Sequence, residues 1–489
     1  MKPNRIVSMQ EHSIQQKRKQ LALRYFTYGV MSLAVVVISA LCILLALGYG
    51  FDFKQNTVVQ RALVQFRSFP QNAVITQDNQ QLSFRTPGKA NIDAGQHRFT
   101  MHLEGYRDWT KQVTLDAGEL RWLNYARLIP DTVTTNGLKD FTTVSSNIAS
   151  PDRQWMAIYT DTAKPEFTIA DLRDSDKVQF QNFVIPASAY TSLAGQTSHF
   201  QLLEWDFGAR FILVKHTIGD KTEFIRLDRT GQSPPVDVTT ALNVTITEIH
   251  FSGTSGNVFY ARDATDVRTL DIAAGTISSP IAAQASSFVL YKTDTLAYVN
   301  DKDDRRHVGV HIDDQSYATL RTYDTTQPVL ASISSYFSDT YVAVARGTSV
   351  EIIKNPLDKT TGRKAFATVT LPVSATWLQF SSSGRFVVAG TGTQFVTYDL
   401  ETNETFSVNL PGKVTDVTKP LQWIDDYILV STADQSLRLS EFDGANQQVI
   451  TDAEQGFAVT LSEDGKYLYS IAKTSAGYSL QASKMTIDN

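Results

Sequence analysis

Cysteine is almost missing from this chain: Cys42 is the only one among 489 residues. A disulfide framework and paired-thiol metal sites are thereby excluded, and the place of Cys42 inside an apolar run excludes thiol catalysis. Histidine is scarce too, with eight residues, none at zinc-ligand spacing. HExxH, GxSxG and G-x-x-x-x-G-K-[ST] do not occur, and no G-x-G-x-x-G follows a strand and opens a helix. No catalytic, cofactor-binding or metal-ligating set is therefore assigned from the sequence. Long blocks of like charge are absent as well.

Charge is absent altogether from Tyr25 to Phe51. Within that gap Tyr28–Gly48 reads YGVMSLAVVVISALCILLALG, a run that spans roughly 30 Å as a helix, the thickness of a bilayer's hydrocarbon core. It has no polar stripe, and the hydroxyls of Ser32 and Ser39 can bond back to the preceding turn. Residues 28–50 are predicted to form a transmembrane helix, with 1–27 as a cytoplasmic tail. A cleaved signal peptide would have a shorter core of about 7–15 residues, although Ala46-Leu47-Gly48 offers a small-x-small site. A lipoprotein signal needs a small residue before its cysteine, and Leu41 precedes Cys42.

Orientation follows from the flanks. Lys2, Arg5, Lys17, Arg18, Lys19 and Arg24 face only Glu11 before the helix, which places the N-terminus inside and the remainder outside. The chain holds 45 Lys and Arg against 50 Asp and Glu. With that basic excess removed, the exterior carries an acidic surplus of about ten charges, which disfavours nucleic acid and anionic wall polymers as partners.

Residues 52–61 read as a linker. From Ala62 to Pro130, short apolar runs alternate with turn residues, the texture of a small β-sandwich. Asp78-Asn79 can close a hairpin, and Tyr106 and Trp109 offer large apolar faces for its core. The residues Pro70, Ala73 and Ile75, then Thr86-Pro87, Ala94-Gly95-x-His97, Glu104-Gly105-Tyr106-x-x-Trp109 and Ala117-Gly118-Glu119 resemble a PEGA domain over 58–130. The namesake run is kept only in part, as Pro70-Gln71-Asn72-Ala73. The resemblance implies support or binding at a cell envelope rather than chemistry. His97 and His102, five apart on a strand, belong on opposite faces.

From 131 to 489 the chain repeats a turn followed by an apolar strand: SPDRQWMAIY, DFGARFILV, SGTSGNVFYA, KTDTLAYVN, FSDTYVAVA, SSSGRFVVAG, IDDYILVST and SEDGKYLYSI. Their centres at Met156, Ile212, Phe259, Ala297, Ala343, Val387, Leu429 and Leu468 lie 38 to 56 residues apart. A period near 40–45 with short strands marks a β-propeller. An aromatic strand precedes several turns (LLEWDF, ATWLQF, PLQWID), and a strand ending in an acid follows (FTIADL, EFIRLD, VRTLDI, QFVTYDL). Tyr398-Asp399-Leu400-Glu401-Thr402-Asn403 and Ser462-Glu463-Asp464-Gly465 resemble WD40- and TolB-like propellers, without the Gly-His and Trp-Asp signatures of strict WD40 repeats. Eight blades are expected, with seven as the alternative. Ile185–Phe200 reads as a dispensable insertion between blades. Asp131–Thr135 is expected to close the ring by pairing with Tyr478–Met485.

Two oxygen-rich spots are weighed against metal. Asn300-Asp301-Lys302-Asp303-Asp304 lacks the Gly and distal Glu of an EF-hand, and Arg305 and Arg306 offset its charge, so a solvated turn is expected. His307, His311 and Asp313 would share one strand face, where sheet polars are expected rather than ligands. The fold expected is mainly β: one transmembrane helix, a PEGA-like sandwich and a propeller. The function expected is that of a non-enzymatic envelope protein whose propeller binds a protein or glycan. The alternative is a propeller hydrolase or lyase acting on envelope glycans, which would need close, buried carboxylates at the channel.

Overall fold

The computed structural model describes residues 5–46, 48–52, 57–324, 327–360 and 363–487. One helix, Arg5–Ala46, opens the chain. Its Leu21–Leu44 stretch has a mean hydropathy of 2.3 and is wholly unburied, long and apolar enough to cross a membrane. The helix extends on the N-terminal side of the apolar run to Arg5, as straight-chain Gln, Lys and Leu favour. It ends earlier than expected. Tyr49 and Gly50, placed in the helix from sequence, begin the strand Tyr49–Asp52, which pairs with Thr57–Gln60. The stretch read as a linker thus holds a two-stranded hairpin, whose residues 53–56 lie outside the described residues.

The remainder forms two compact units, divided between Leu128 and Ile129. In the first, Ala62–Phe69 lies between Gly88–Ile92 (antiparallel) and Leu120–Arg127 (parallel). A second sheet orders Gln80–Arg85, Val74–Gln77, Gly95–His102 and Trp109–Leu115. Strand alternation turns Ala62, Val64 and Phe66 inward, against Ile75, Phe99 and Met101. Trp109 and Tyr106 are buried in the same core, with the Trp109 ring edge-on to Tyr125 at 6.0 Å. Asp78 and Asn79 both take positive φ, 48° and 66°, forming the two-residue hairpin turn that their side chains tolerate.

The second unit contains eight four-stranded antiparallel sheets, the eight blades of a propeller. Blade 1, for example, orders Ser146–Ala149, Trp155–Tyr159, Glu166–Asp171 and Gln179–Val184. The apolar runs recognised from sequence are the second strand of every blade. They are apolar on both faces because a neighbouring blade covers each one: Trp155–Tyr159 is buried at every position. The aromatic strands before the turns are first strands, and those ending in an acid are third strands.

First strands of neighbouring blades approach one another, as the innermost strands of a ring do, and they bond across the seams. Trp205 Nε1 donates to the Ile148 carbonyl at 3.2 Å, the Phe251 amide donates to Glu204 Oε1 at 2.6 Å, and Gln379 Nε2 donates to the Leu421 carbonyl at 2.8 Å. The turn between first and second strands repeats its own chemistry. The hydroxyls of Ser150, Ser381 and Ser462 each accept the backbone N–H five residues ahead, at 2.9, 3.1 and 2.9 Å.

The ring closes as anticipated in kind but not in place. The strand that completes blade 8 is Thr135–Phe141, not Asp131–Thr135, and it pairs antiparallel with Gly477–Lys484, Thr135 opposite Ser483. Asn136-Gly137 looks like a turn in sequence; here it lies within a strand, beside a bulge at Leu138. Residues 131–134 only flank the pairing, with the Lys484 amide donating to the Thr134 carbonyl at 2.8 Å. Side chains from both neighbours also grip the innermost segment of blade 8. Asn147 bonds both the N–H and the carbonyl of Ala458, at 2.7 and 2.9 Å. Gln422 takes the Phe457 carbonyl and the Val459 N–H, at 3.1 and 2.8 Å.

The insertion after blade 1 is not dispensable. Ile185 and Ala189 are buried in the core between blades 1 and 2. The Tyr190 ring meets Phe200 and His216 edge-on, both at 5.1 Å. The Thr191 amide donates to the buried Glu223 at 2.9 Å.

Two stability outcomes follow. Trp109→Ala should cost the 62–128 unit roughly 3–5 kcal/mol, a large share of what a domain of that size possesses. Limited proteolysis of the full chain should then cut within 62–128 first; an unchanged cleavage pattern and melting profile would mean that the indole carries no core energy. Deleting 135–141 should convert a cooperative melt of the ring into a broad, early one, because Gly477–Lys484 becomes an open edge. A deletion variant that melts as wild type would show that the closure is not structural.

Candidate functional site

Inner strands and their flanking loops bring together the functional side chains of a ring, and two groupings stand out. The first surrounds His250 on the innermost strand of blade 3 (Ile246–Phe251). His250 Nδ1 lies 2.8 Å from Glu204 Oε2, on the innermost strand of blade 2, and Nε2 lies 3.6 Å from Glu248 Oε1. Glu248 also faces Arg262 at 3.4 Å. Burial pushes the imidazole down, but the carboxylates on its two nitrogens overcome this and raise it to about 10. The carboxylate pair is thus answered by two cations and a backbone N–H. The two His250 nitrogens face different partners, and this arrangement spends its charge on joining blades 2 and 3.

The second grouping is a cleft of about 340 Å³ between blades 1 and 2, lined by Ser145, Ser146, Thr162, His199, Phe200, Gln201, Lys215 and Thr217. Antiparallel register sets Gln201 opposite Lys215 and His199 opposite Thr217, so these four share one face of blade 2. Phe200 is opposite His216 on the other face. It is buried against Tyr159, and its N–H donates to the Thr162 carbonyl at 2.8 Å, tying the two blades at the cleft. The position in the ring follows from topology. First strands of blades 1 and 2 begin here, at Ser146 and Ser198, and the loop between the second and third strands of blade 1 supplies Thr162.

What sets this cleft apart is unspent polarity. Ser145 Oγ donates to the Tyr159 carbonyl at 2.9 Å. Among the described residues, no hydrogen bond or ion pair engages the side chains of Ser146, Thr162, His199, Gln201 or Lys215. The lining holds no carboxylate. Immediately beside it the buried Glu223 carboxylate is satisfied, while Nε2 of the buried His216 has no hydrogen-bond partner. Glu223 receives Lys221 at 2.5 Å and His216 at 2.8 Å. Burial pushes Glu223 up, but its hydrogen bonds from Lys221, Thr191 and His216 prevail and hold it at about 2. Charges elsewhere are paired in the same way: Arg385 lies between Asp399, 2.6 Å away, and Glu401.

The residues weighed from sequence lie elsewhere and do not converge. His97 faces Asp78 at 2.7 Å and His102 faces Asp108 at 2.6 Å, on opposite faces of their strand. Asp303 and Asp304 form a positive-φ hairpin turn, while Arg306 clasps Asp301 at 2.7 and 3.1 Å. His307 lies 2.9 Å from the Thr322 hydroxyl and His311 lies 2.8 Å from that of Ser316. Asp313, expected on their face, leaves the strand in a turn with Asp314. Among the described residues no three His, Cys, Asp or Glu side chains are grouped to hold a metal ion. The cleft residues themselves escaped the sequence reading. One signal was available: Lys215 interrupts the apolar second strand FILVKHTI, next to the insertion.

Residues 62–128 match the PEGA domain family. No curated protein matches the chain. Among solved structures, an oligogalacturonate lyase in complex with manganese is similar at a TM-score of 0.39 and 12% identity, covering 70% of this chain and 98% of its own. Hsv2 of Kluyveromyces lactis is similar at 0.38 and 8%, covering 69% and 98%. A chain of the Mitotic Checkpoint Complex is similar at 0.34 and 14%, covering 74% and 92%.

The His250 cluster has a pH signature. An imidazole raised from 6.5 to about 10 in the fold stabilises it fully below pH 6.5 and loses that contribution as pH rises through about 10. The difference in melting temperature between wild type and His250→Gln should therefore shrink steadily across that window. A pH-independent difference would mean that the imidazole is not charged in the fold.

Proposed function

We propose that this protein is a single-pass, membrane-anchored extracytoplasmic binding protein, non-enzymatic, whose propeller takes up a protein or glycan of the cell envelope. The observation that carries this reading is the cleft between blades 1 and 2. Five polar side chains there have no partner among the described residues, whereas neighbouring buried charges are paired. Polar groups that a fold leaves unspent in a concave surface are available to a ligand.

Three further features support the reading. Leu21–Leu44 is suited to a bilayer, and the basic residues before it favour an internal N-terminus. The PEGA match lies in the chain between that helix and the propeller. Against a hydrolase or lyase stands the state of the inner carboxylates. Glu204 and Glu248 are held by His250, Arg262 and the Phe251 N–H, which leaves neither free to act as a general base.

A photo-crosslinking residue placed at Gln201 in living cells should capture an envelope component. The same residue at Val289, an exposed position of blade 4, should not. Equal capture, or none at Gln201, would overturn the binding site. Protease added to spheroplasts should digest the propeller and leave the N-terminal tail with the membrane; a protected propeller would reverse the topology.

A further inference from the structure

The cleft between blades 1 and 2 has a chemistry specific enough to name a ligand class. Its charged groups are of one sign. Lys215 and His199 contribute cationic or proton-donating nitrogens, and no acid lines the space. This occurs in an exterior with an acidic surplus of about ten charges, and no carboxylate engages the Lys215 ammonium among the described residues. Lys221, six residues further on, is paired with Glu223, and Lys354 with Asp339 at 2.7 Å. An unpaired ammonium in a concave, partly desolvated position attracts an anion more strongly than the same group on an open surface.

The remaining lining discriminates among anions. Ser146 and Thr162 present hydroxyls from blade 1, and Gln201 presents a carboxamide beside Lys215. These groups both donate and accept. A bare inorganic anion uses only the donors and leaves the acceptors unanswered. A ligand carrying one carboxylate among several hydroxyls answers both kinds. About 340 Å³ of space accommodates one or two sugar rings, and a lining without exposed aromatic faces suits a strongly polar ligand.

We propose that this cleft binds a carboxylate-bearing sugar unit, its carboxylate on Lys215 and its hydroxyls on Ser146, Thr162 and Gln201. The inference rests on the binding function proposed above and assigns its ligand class. Losing one charge-assisted hydrogen bond should weaken such binding by roughly tenfold to a hundredfold.

The test uses the full chain in nanodiscs, titrated calorimetrically with glucuronate, glucose and inorganic phosphate. Glucuronate should bind at least tenfold more tightly than either of the others. Lys215→Met should weaken glucuronate by the factor given and Lys215→Arg should restore most of it, with unchanged melting temperatures for both. Ser146→Ala should weaken glucuronate more than phosphate, because only the sugar also uses the hydroxyl as an acceptor. Phosphate binding as tightly as glucuronate would reduce the cleft to a simple anion site and overturn the proposal. Glucuronate binding that ignores Lys215→Met, or no glucuronate binding, would overturn it as well. If Gln201 still captures an envelope component in cells while glucuronate does not bind, the ligand class falls and the binding function stands.

Discussion

Everything in the larger unit depends on one pairing between segments that are far apart in sequence. Thr135–Phe141 completes the sheet whose other three strands are Thr460–Leu461, Tyr467–Thr474 and Gly477–Lys484. Each of the other blades is local, built from successive strands. Such a row of sheets is a stack with two open ends, and an open end exposes a row of unpaired N–H and C=O groups. The pairing removes both ends at once. Its strength comes from backbone bonds together with the packing of Leu138 and Phe141 against Met156, Tyr469 and Leu480, which explains how a segment as polar as TNGLKDF serves. Asn147 and Gln422 reinforce it from the inside, where blade 8 contributes only a two-residue first strand.

With the ring closed, blades meet face to face and polar groups in the seams must find partners. The solutions recur because the geometry does. Arg210 with Asp228 and Arg385 with Asp399 are both arginines before a second strand bound to the acid that ends the third, each at 2.6 Å. Breaking the buried Arg385–Asp399 pair by removing one partner is costly, on the order of 3–5 kcal/mol. The acidic strand endings are therefore better understood as fasteners than as candidates for chemistry. Beside these paired charges the cleft of blades 1 and 2 differs in being a concave place lined by five polar side chains without a partner among the described residues.

Sequence legibility followed the same physics. Second strands, apolar at successive positions because both faces are covered, announced the eightfold repeat, and Asp399 and Asp228 announced the third strands. What remained hidden was set by partners distant along the chain. Thr135–Phe141 has weak strand character of its own, whereas Asp131–Thr135 reads as a Thr/Val strand, so the closure was placed several residues too early. The apolar run continues to Gly48, yet the helix stops at Ala46 because Tyr49–Asp52 finds a strand partner in Thr57–Gln60. The insertion resembled spacer until Ile185 and Tyr190 proved to fill the seam of blades 1 and 2. Ser146, Gln201 and Lys215 form no motif, since ring assembly alone brings them together.

The distance between the two halves of the closing pair has a consequence for biogenesis. Thr135–Phe141 leaves the ribosome more than 300 residues before Gly477–Lys484 exists, so blades can form in order while the circle waits. A chain interrupted anywhere in that interval keeps its first strand unmatched and its leading blade uncovered, a form prone to proteolysis and association. Closure therefore reports completeness: only a molecule synthesised through its last strand becomes resistant, and partial products remain marked for removal by their own open edges.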